Sequence, residues 1–191
     1  MNPAMSPDEK TLFKKYLNNA INYFEFGMGG STVWANETPD IKKIVCVESN
    51  AAWLEKVTNH CKSTKIITNL INYPVGDFGY PLTILKKLQV SETEKLLWES
   101  YSKAINKTNE LYDLVLVDGR FRVACALSAY TNLHNEGFLL VHDYANRTNY
   151  HSIEKFFEKI EEVENLACLR KKAPSDVALA TEYEKYKYES A

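Results

Sequence analysis

The run Tyr23-Phe24-Glu25-Phe26-Gly27-Met28-Gly29-Gly30-Ser31-Thr32-Val33 reads as a strand that stops at glycines and re-enters as a helix. Glycine serves such a turn in two ways: it adopts backbone angles that a Cβ forbids, and it lets the main chain approach a ligand closely. In an open α/β sheet, ligands bind outside the carboxyl ends of the strands, where the strand order reverses. A plain tight turn would also use glycines, so the spacing of a second residue matters. In Ile44-Val45-Cys46-Val47-Glu48-Ser49-Asn50, Glu48 falls 21 positions after Gly27 (48 minus 27). A nucleoside-binding sheet places at that spacing the carboxylate that accepts hydrogen bonds from ribose hydroxyls. Glu25 stands inside an otherwise apolar strand, where an ionised carboxylate is costly unless something pairs with it. A cationic ligand would supply that pairing, and so would a lysine or arginine from elsewhere in the chain. The dinucleotide fingerprint G-x-G-x-x-G needs a third glycine where this chain has Thr32, which disfavours a nicotinamide dehydrogenase.

Alternating strands and helices must hold these residues. Ser6, Pro7, Asp8 and Glu9 form an N-cap signature for a first helix, over 6–19, with Leu12, Phe13, Tyr16 and Leu17 as its apolar stripe. Strands are expected over 22–26, 43–48, 65–71, 111–118 and 137–142, with helices over 31–36, 51–62, 82–106 (interrupted) and 122–133. The fourth and fifth strands are nearly continuous apolar runs, which suits a parallel sheet covered on both faces. The pattern predicts an amphipathic helix over 150–162, with Ile153, Phe156, Phe157 and Ile160 on one face. Two weaker strands over 166–169 and 177–181 would follow, and then an exposed tail over 182–191. The long interval 80–110 has room for a lid or an extra helix. The expected fold is α/β, a Rossmann-like doubly wound, mostly parallel seven-stranded sheet with helices on both faces, in one domain over 1–191.

Composition removes several function classes. The 191 residues are 45% hydrophobic and 25% charged with a formal net charge of -2, so no overall positive field exists to hold a nucleic acid. Arg170, Lys171 and Lys172 read as a solvated turn. No apolar run approaches the roughly 18 residues of a membrane span and no signal-peptide layout opens the chain, so neither a membrane nor secretion is expected and the location reads as cytoplasmic. Cys46, Cys61, Cys125 and Cys168 lack C-x-x-C spacing and read as buried thiols.

As a whole, the constellation resembles the class I S-adenosylmethionine-dependent methyltransferases. Their first motif is written here as Glu25-x-Gly27-x-Gly29-Gly30-Ser31, and their ribose acid as Glu48. The resemblance covers roughly 16–144 and extends to Asp118-Gly119-Arg120-Phe121-Arg122 after the fourth strand and Val141-His142-Asp143-Tyr144 after the fifth. It implies S-adenosylmethionine as cofactor. Glu25, Gly27, Met28, Gly29, Gly30, Ser31 and Thr32 would hold its methionine part and Glu48 its ribose. Ser49, Asn50, Trp53, Asp77 and Phe78 would flank the adenine, with Asp77 receiving its amino group. Asp118 and Gly119 would close the cradle where methyl transfer takes place.

Methyl transfer is an in-line displacement, so the protein's main task is alignment. An alcohol acceptor also needs its proton drawn off, a general-base contribution of roughly 10²–10⁴ in rate. His142 is the first candidate for that base and Asp118 the second, with Asp143 beside them; a histidine that merely satisfies a backbone carbonyl is the alternative. Arg120 could clamp an anionic or hydroxyl-rich acceptor, while Arg122 could do the same or instead pair within its helix. Similar enzymes acting on catechols or sugars use magnesium held by an aspartate after the fourth strand and an Asp-Asn or Asp-Asp pair after the fifth. Here that pair is Asp143-Tyr144, which speaks against a divalent metal, although Asp118 and Asp143 could still share one. The motifs of base-nitrogen and cytosine-carbon methylation are absent. The expected acceptor is therefore a hydroxyl on a sugar, a glycan or a small metabolite. The rivals are an aminopropyltransferase-like enzyme using decarboxylated S-adenosylmethionine and a non-catalytic cofactor-binding module.

Overall fold

Period-2 alternation with apolar residues on both faces builds the sheet. In β1 (Asn22–Phe26), Phe24 and Phe26 join one hydrophobic core while Tyr23 joins the other, and Glu25 is buried on the Tyr23 face. The same split runs through β2 (Lys43–Glu48), where Val45 and Val47 oppose Ile44 and Cys46, and through β4 (Tyr112–Val117), where Val115 and Val117 oppose Leu114 and Leu116. Both strands lie parallel to β1, one on each side. The parallel strands β3 (Ile66–Leu70) and β5 (Leu133–Val141) extend the sheet outwards. Beyond β5 an antiparallel hairpin of β6 (Phe157–Val163) and β7 (Leu166–Lys171) gives the order β3-β2-β1-β4-β5-β7-β6. The chain direction of winding reverses between β1 and β4, so the turns after these two strands meet at the switch point. The structure, a computed structural model, describes residues 1–173 and 176–190.

Helices cover both faces. On the Tyr23 side lie α1 (Pro7–Leu17), α2 (Gly30–Glu37) and α3 (Ala51–Thr58), contributing Leu12, Phe13, Leu17, Val33 and Val57 to the core. The Phe24 side holds α5 (Glu92–Ser102), α6 (Arg122–Ala129) and α7 (Asp176–Tyr186), with the short α4 (Leu82–Leu85) preceding them. The expected capping box of α1 is present: Ser6 Oγ accepts from Glu9 N at 3.2 Å and Glu9 Oε2 accepts from Ser6 N at 2.8 Å. The interval 80–110 is largely an extra helix, since Trp98 and Tyr101 of α5 are buried in the core. Cys46, Cys125 and Cys168 are buried free thiols and Cys61 is half-buried. No helix among the described residues is long and apolar enough to cross a membrane.

Three expectations at the C-terminal third are corrected. Residues 150–162 are not one helix. A 3₁₀ helix, Thr148–Lys155, uses the spacing-by-three of Tyr150, Ile153 and Phe156, all buried, and the chain then enters β6 with Ile160 exposed. What decides it is pairing, because β7 is buried and its outer edge needs a partner. Residues 177–181 are helical rather than extended: α7 lays Tyr183 into the core while Val177 is exposed. The segment 182–190 is not an exposed tail, since Glu182, Tyr183 and Ser190 are buried; Tyr183 bonds Ser102 at 2.8 Å, and Glu182 pairs with Lys155 at 2.6 Å. Ala191 lies outside the described residues.

Candidate functional site

Gly27 follows β1 with φ +88°, and its N–H donates to Val47 O at 3.0 Å. A Cβ there would lie 2.7 Å from Gly119 Cα and 2.9 Å from Gly119 N, so the turns after β1 and β4 touch backbone to backbone. Gly119 is equally enclosed, with the Tyr101 hydroxyl and Phe26 O against the place a side chain would take. Gly30, the first residue of α2, lies under the backbone of Asn2 and Pro3. Gly29 differs: an added Cβ would meet nothing nearer than Ser31 Oγ at 3.8 Å, so this face of the turn is open.

Glu48, at the end of β2, reaches that turn. Its Oε2 accepts from Met28 N at 3.0 Å and its Oε1 from Ser49 N at 2.7 Å and Asn50 N at 2.9 Å. Asn50 caps α3 by accepting from Trp53 N at 3.0 Å, and the Trp53 indole N–H donates to Met28 O at 2.7 Å. Met28 is thus tied on both sides to the β2–α3 junction. Trp53 is half-exposed beside Lys56, so it is rim rather than core. Asp77 and Phe78 sit on the 3₁₀ turn Asp77–Gly79, both exposed, Phe78 at 90% and φ 55°. Neither side chain hydrogen-bonds to the glycine turn among the described residues. The loop instead engages the β4 end through Tyr80, whose ring lies 4.2 Å from the Arg120 guanidinium.

Glu25 is fully buried, and Ser31 Oγ and Thr32 Oγ1 donate to its two oxygens, the latter at 2.7 Å. No lysine or arginine among the described residues pairs with it. Burial pushes its carboxyl up to about 8, although the two hydroxyls favour the charged form.

At the ends of β4 and β5 the structure brings Asp118, His142 and Asp143 together and adds three residues. His142 Nδ1 lies 3.0 Å from Asp118 Oδ1, and Nε2 lies 3.4 Å from Glu9 Oε2 on α1. Arg122, buried, stands between the acids, with Nη2 3.4 Å from Asp118 Oδ1 and 2.9 Å from Asp143 Oδ2; its Nε donates to Gly119 O at 2.9 Å and Nη1 to His142 O. Arg147 Nη2 follows at 3.6 Å from Asp143 Oδ2, while Nη1 donates to the hydroxyls of Tyr80 and Tyr150 at 3.3 Å each. Glu9, His142, Asp118, Arg122, Asp143 and Arg147 thus form a chain of alternating charge. Burial disfavours the histidine cation, but the hydrogen bond to Asp118 and the charges of Asp118 and Asp143 outweigh it and raise the His142 pKa above its usual range. Burial likewise opposes the Asp118 carboxylate, yet His142 and Arg122 hold its pKa low.

Sequence reasoning gave Arg120 the clamping role and left Arg122 between clamp and helix partner; Arg122 proves to be the hub. It missed Glu9, Tyr80 and Arg147. Glu9 carried one visible signal, its capping position, which explains a surface glutamate as well as this buried one. A divalent cation does not suit this donor set, because a guanidinium occupies the space between Asp118 and Asp143 and offers hydrogens where a metal needs lone pairs. Among the described residues no group of three or more His, Cys, Asp or Glu is placed to hold a metal. Excess chelator is accordingly expected to leave turnover unchanged, and restoration of a chelator-lost activity by magnesium would contradict this arrangement.

No protein-family model matches the sequence, and no curated protein does. Solved structures do. A methyltransferase-like protein from Silicibacter pomeroyi DSS-3 superposes with a TM-score of 0.80 at 27% identity, over 98% of this chain and 97% of its own. A putative caffeoyl-CoA O-methyltransferase from Staphylococcus aureus matches with TM-score 0.60 and 12% identity over 90% of this chain and 86% of its own. The N-methyltransferase NodS from Bradyrhizobium japonicum WM9, solved with S-adenosyl-L-homocysteine, matches with TM-score 0.55 and 15% identity over 89% and 90%. A seven-stranded sheet in this order, with a glycine turn at its switch point, gives the chain the Rossmann-like fold of the class I methyltransferases.

Proposed function

We propose that this protein transfers the methyl group of S-adenosylmethionine to a hydroxyl of a sugar, glycan or small metabolite. The observation that carries the reading is Glu48, whose carboxylate reaches from β2 into the Gly27–Gly30 turn at the point where the strand order reverses. The residues suit the cofactor. Gly29 leaves an open face, and Glu48 Oε2 accepts a single protein hydrogen and so has room for a ribose hydroxyl. When bound, the cofactor supplies an activated methyl group on a sulfonium. The protein's share is to hold the acceptor in line and to receive its proton.

His142 is the proposed proton acceptor, with Asp118 and Asp143 setting its charge. Both of its nitrogens face carboxylates, which favours the protonated ring, and it can act only in the fraction that has lost that proton. Turnover should therefore rise with pH through a value above the ordinary histidine pKa of about 6.5. For stability the sign is opposite: a raised histidine pKa contributes fully below about 6.5 and is lost as pH climbs through the raised value. His142→Ala is expected to cut turnover by roughly 10²-fold or more while cofactor affinity stays within about twofold. Unchanged turnover in this variant would remove His142 from the mechanism.

The deciding experiment measures S-adenosylhomocysteine binding by calorimetry, then methyl transfer to panels of sugars, phenols and amines by mass spectrometry. One observation favours a second reading, a non-catalytic cofactor-binding module: the charge chain leaves His142 no free nitrogen. Binding without turnover across the panels would select that reading. An aminopropyl transfer is disfavoured, since Arg120, Arg122 and Arg147 line the strand ends where a polyamine would bind.

A further inference from the structure

We infer that Arg120 is an oxyanion receptor, and that the methyl acceptor carries a carboxylate or phosphate which binds it. The inference rests on the methyl-transfer reading above and narrows its substrate class.

Arg120 is 5% exposed, yet its Nε and Nη1 have no hydrogen-bond partner, and no carboxylate among the described residues pairs with it. Its charge is felt by the Asp118 carboxylate, but two buried guanidinium donors without an acceptor are costly to hold, so their retention calls for a partner that arrives from outside. Its neighbours sharpen the contrast. Arg122 has Asp118 and Asp143, and Arg147 has Asp143. With His142 protonated, the three cations of the alternating chain balance its three acids, Glu9, Asp118 and Asp143. Arg120 has no acid of its own in that chain.

The guanidinium is also held in place. Its Cζ lies over the Tyr80 ring, 4.2 Å from the centroid, and the Tyr80 hydroxyl accepts from Arg147 at 3.3 Å, so two guanidinium groups bracket one phenol. A cation–π contact of this kind restrains the donor directions, which favours bidentate binding of an oxyanion. The place is suitable as well. The position a Cβ would take on Gly79 lies 3.8 Å from Arg120 Cγ and 4.0 Å from Ser49 Oγ, so the side chain bridges the end of β4 and the end of β2 beside the glycine turn. An anion there would sit at the end of β4, one residue from the Gly119 that touches Gly27. The cofactor's own carboxylate is the other possible source of an oxyanion, and the test separates the two.

Thermal unfolding and calorimetry at constant ionic strength would use inorganic phosphate, S-adenosylhomocysteine and methylthioadenosine, which lacks the amino-acid carboxylate. Phosphate should raise the melting temperature of the wild type saturably, with and without S-adenosylhomocysteine. Arg120→Gln should abolish the phosphate response and leave S-adenosylhomocysteine affinity within twofold. Arg120→Lys keeps the charge and is expected to bind phosphate about tenfold more weakly, which serves if the glutamine variant does not fold. A wild type indifferent to phosphate, or an Arg120→Gln protein that still responds, overturns the receptor. Loss of S-adenosylhomocysteine affinity in Arg120→Gln with methylthioadenosine unaffected assigns the site to the cofactor and overturns the acceptor class. Failure of the wild type to bind S-adenosylhomocysteine would instead strike the methyl-transfer reading, whatever phosphate does.

Discussion

Gly27→Ala should lose cofactor binding altogether and lower folding stability by several kcal/mol, since it combines a left-handed backbone with a backbone clash. At φ +88° a side chain is strained by about 1–3 kcal/mol. The new methyl would also press on Gly119 Cα from 2.7 Å, and backbone cannot rotate aside, so an overpacking cost of about 1–3 kcal/mol adds to the strain. Chemical denaturation gives the stability change and calorimetry the binding. The informative control is Gly29→Ala, two residues on. There φ is extended, any residue adopts it, and the Cβ meets nothing nearer than 3.8 Å. That variant should fold as well as the wild type yet bind S-adenosylhomocysteine poorly, because the methyl would cover the open face of the turn. Equal affinity in the control would mean that the open face is not where the ligand lies.

Glu48→Ala is the second. Its carboxylate accepts from Met28 N, Ser49 N and Asn50 N, so removal leaves three N–H groups near the turn without their acceptor. Loss of a charged hydrogen bond to a ribose hydroxyl costs about 1–3 kcal/mol, which corresponds to roughly 5- to 150-fold in the dissociation constant of S-adenosylhomocysteine. Glu48→Gln keeps one acceptor oxygen and should fall between. If both variants bind like the wild type, Glu48 is an organiser of the β2–α3 junction and nothing more.

Where a residue's local pattern and its tertiary role agree, the sequence was sufficient. Strands β1 and β2 end where the apolar alternation ends, and the α1 cap is visible in Ser6 and Glu9. The glycine turn and its partner acid are of the same kind, since their spacing along the chain mirrors one strand-helix-strand step. The failures share a cause. Residues 150–162 carry helical spacing in their first half, and only the need of β7 for a neighbour turns the second half into β6. Glu182 and Tyr183 look solvated until α7 folds back on α6 and Lys155. At the site, Glu9 and His142 are 133 positions apart (142 minus 9), and no spacing rule along the chain connects them. Arg122 lies in the same difficulty: its neighbours in sequence say helix, whereas its partners Asp118 and Asp143 belong to two different strand ends.

Because the peptide units at 27 and 119 rest on each other with no side chain between them, the ends of β1 and β4 behave as a single rigid plate. A mutation cannot widen one side of that plate without dislodging the other. Diversification of what such an enzyme accepts would therefore have to come from its borders, the stretch that carries Tyr80 and the stretch that carries Arg147, where exchanges can accumulate while the plate is inherited intact.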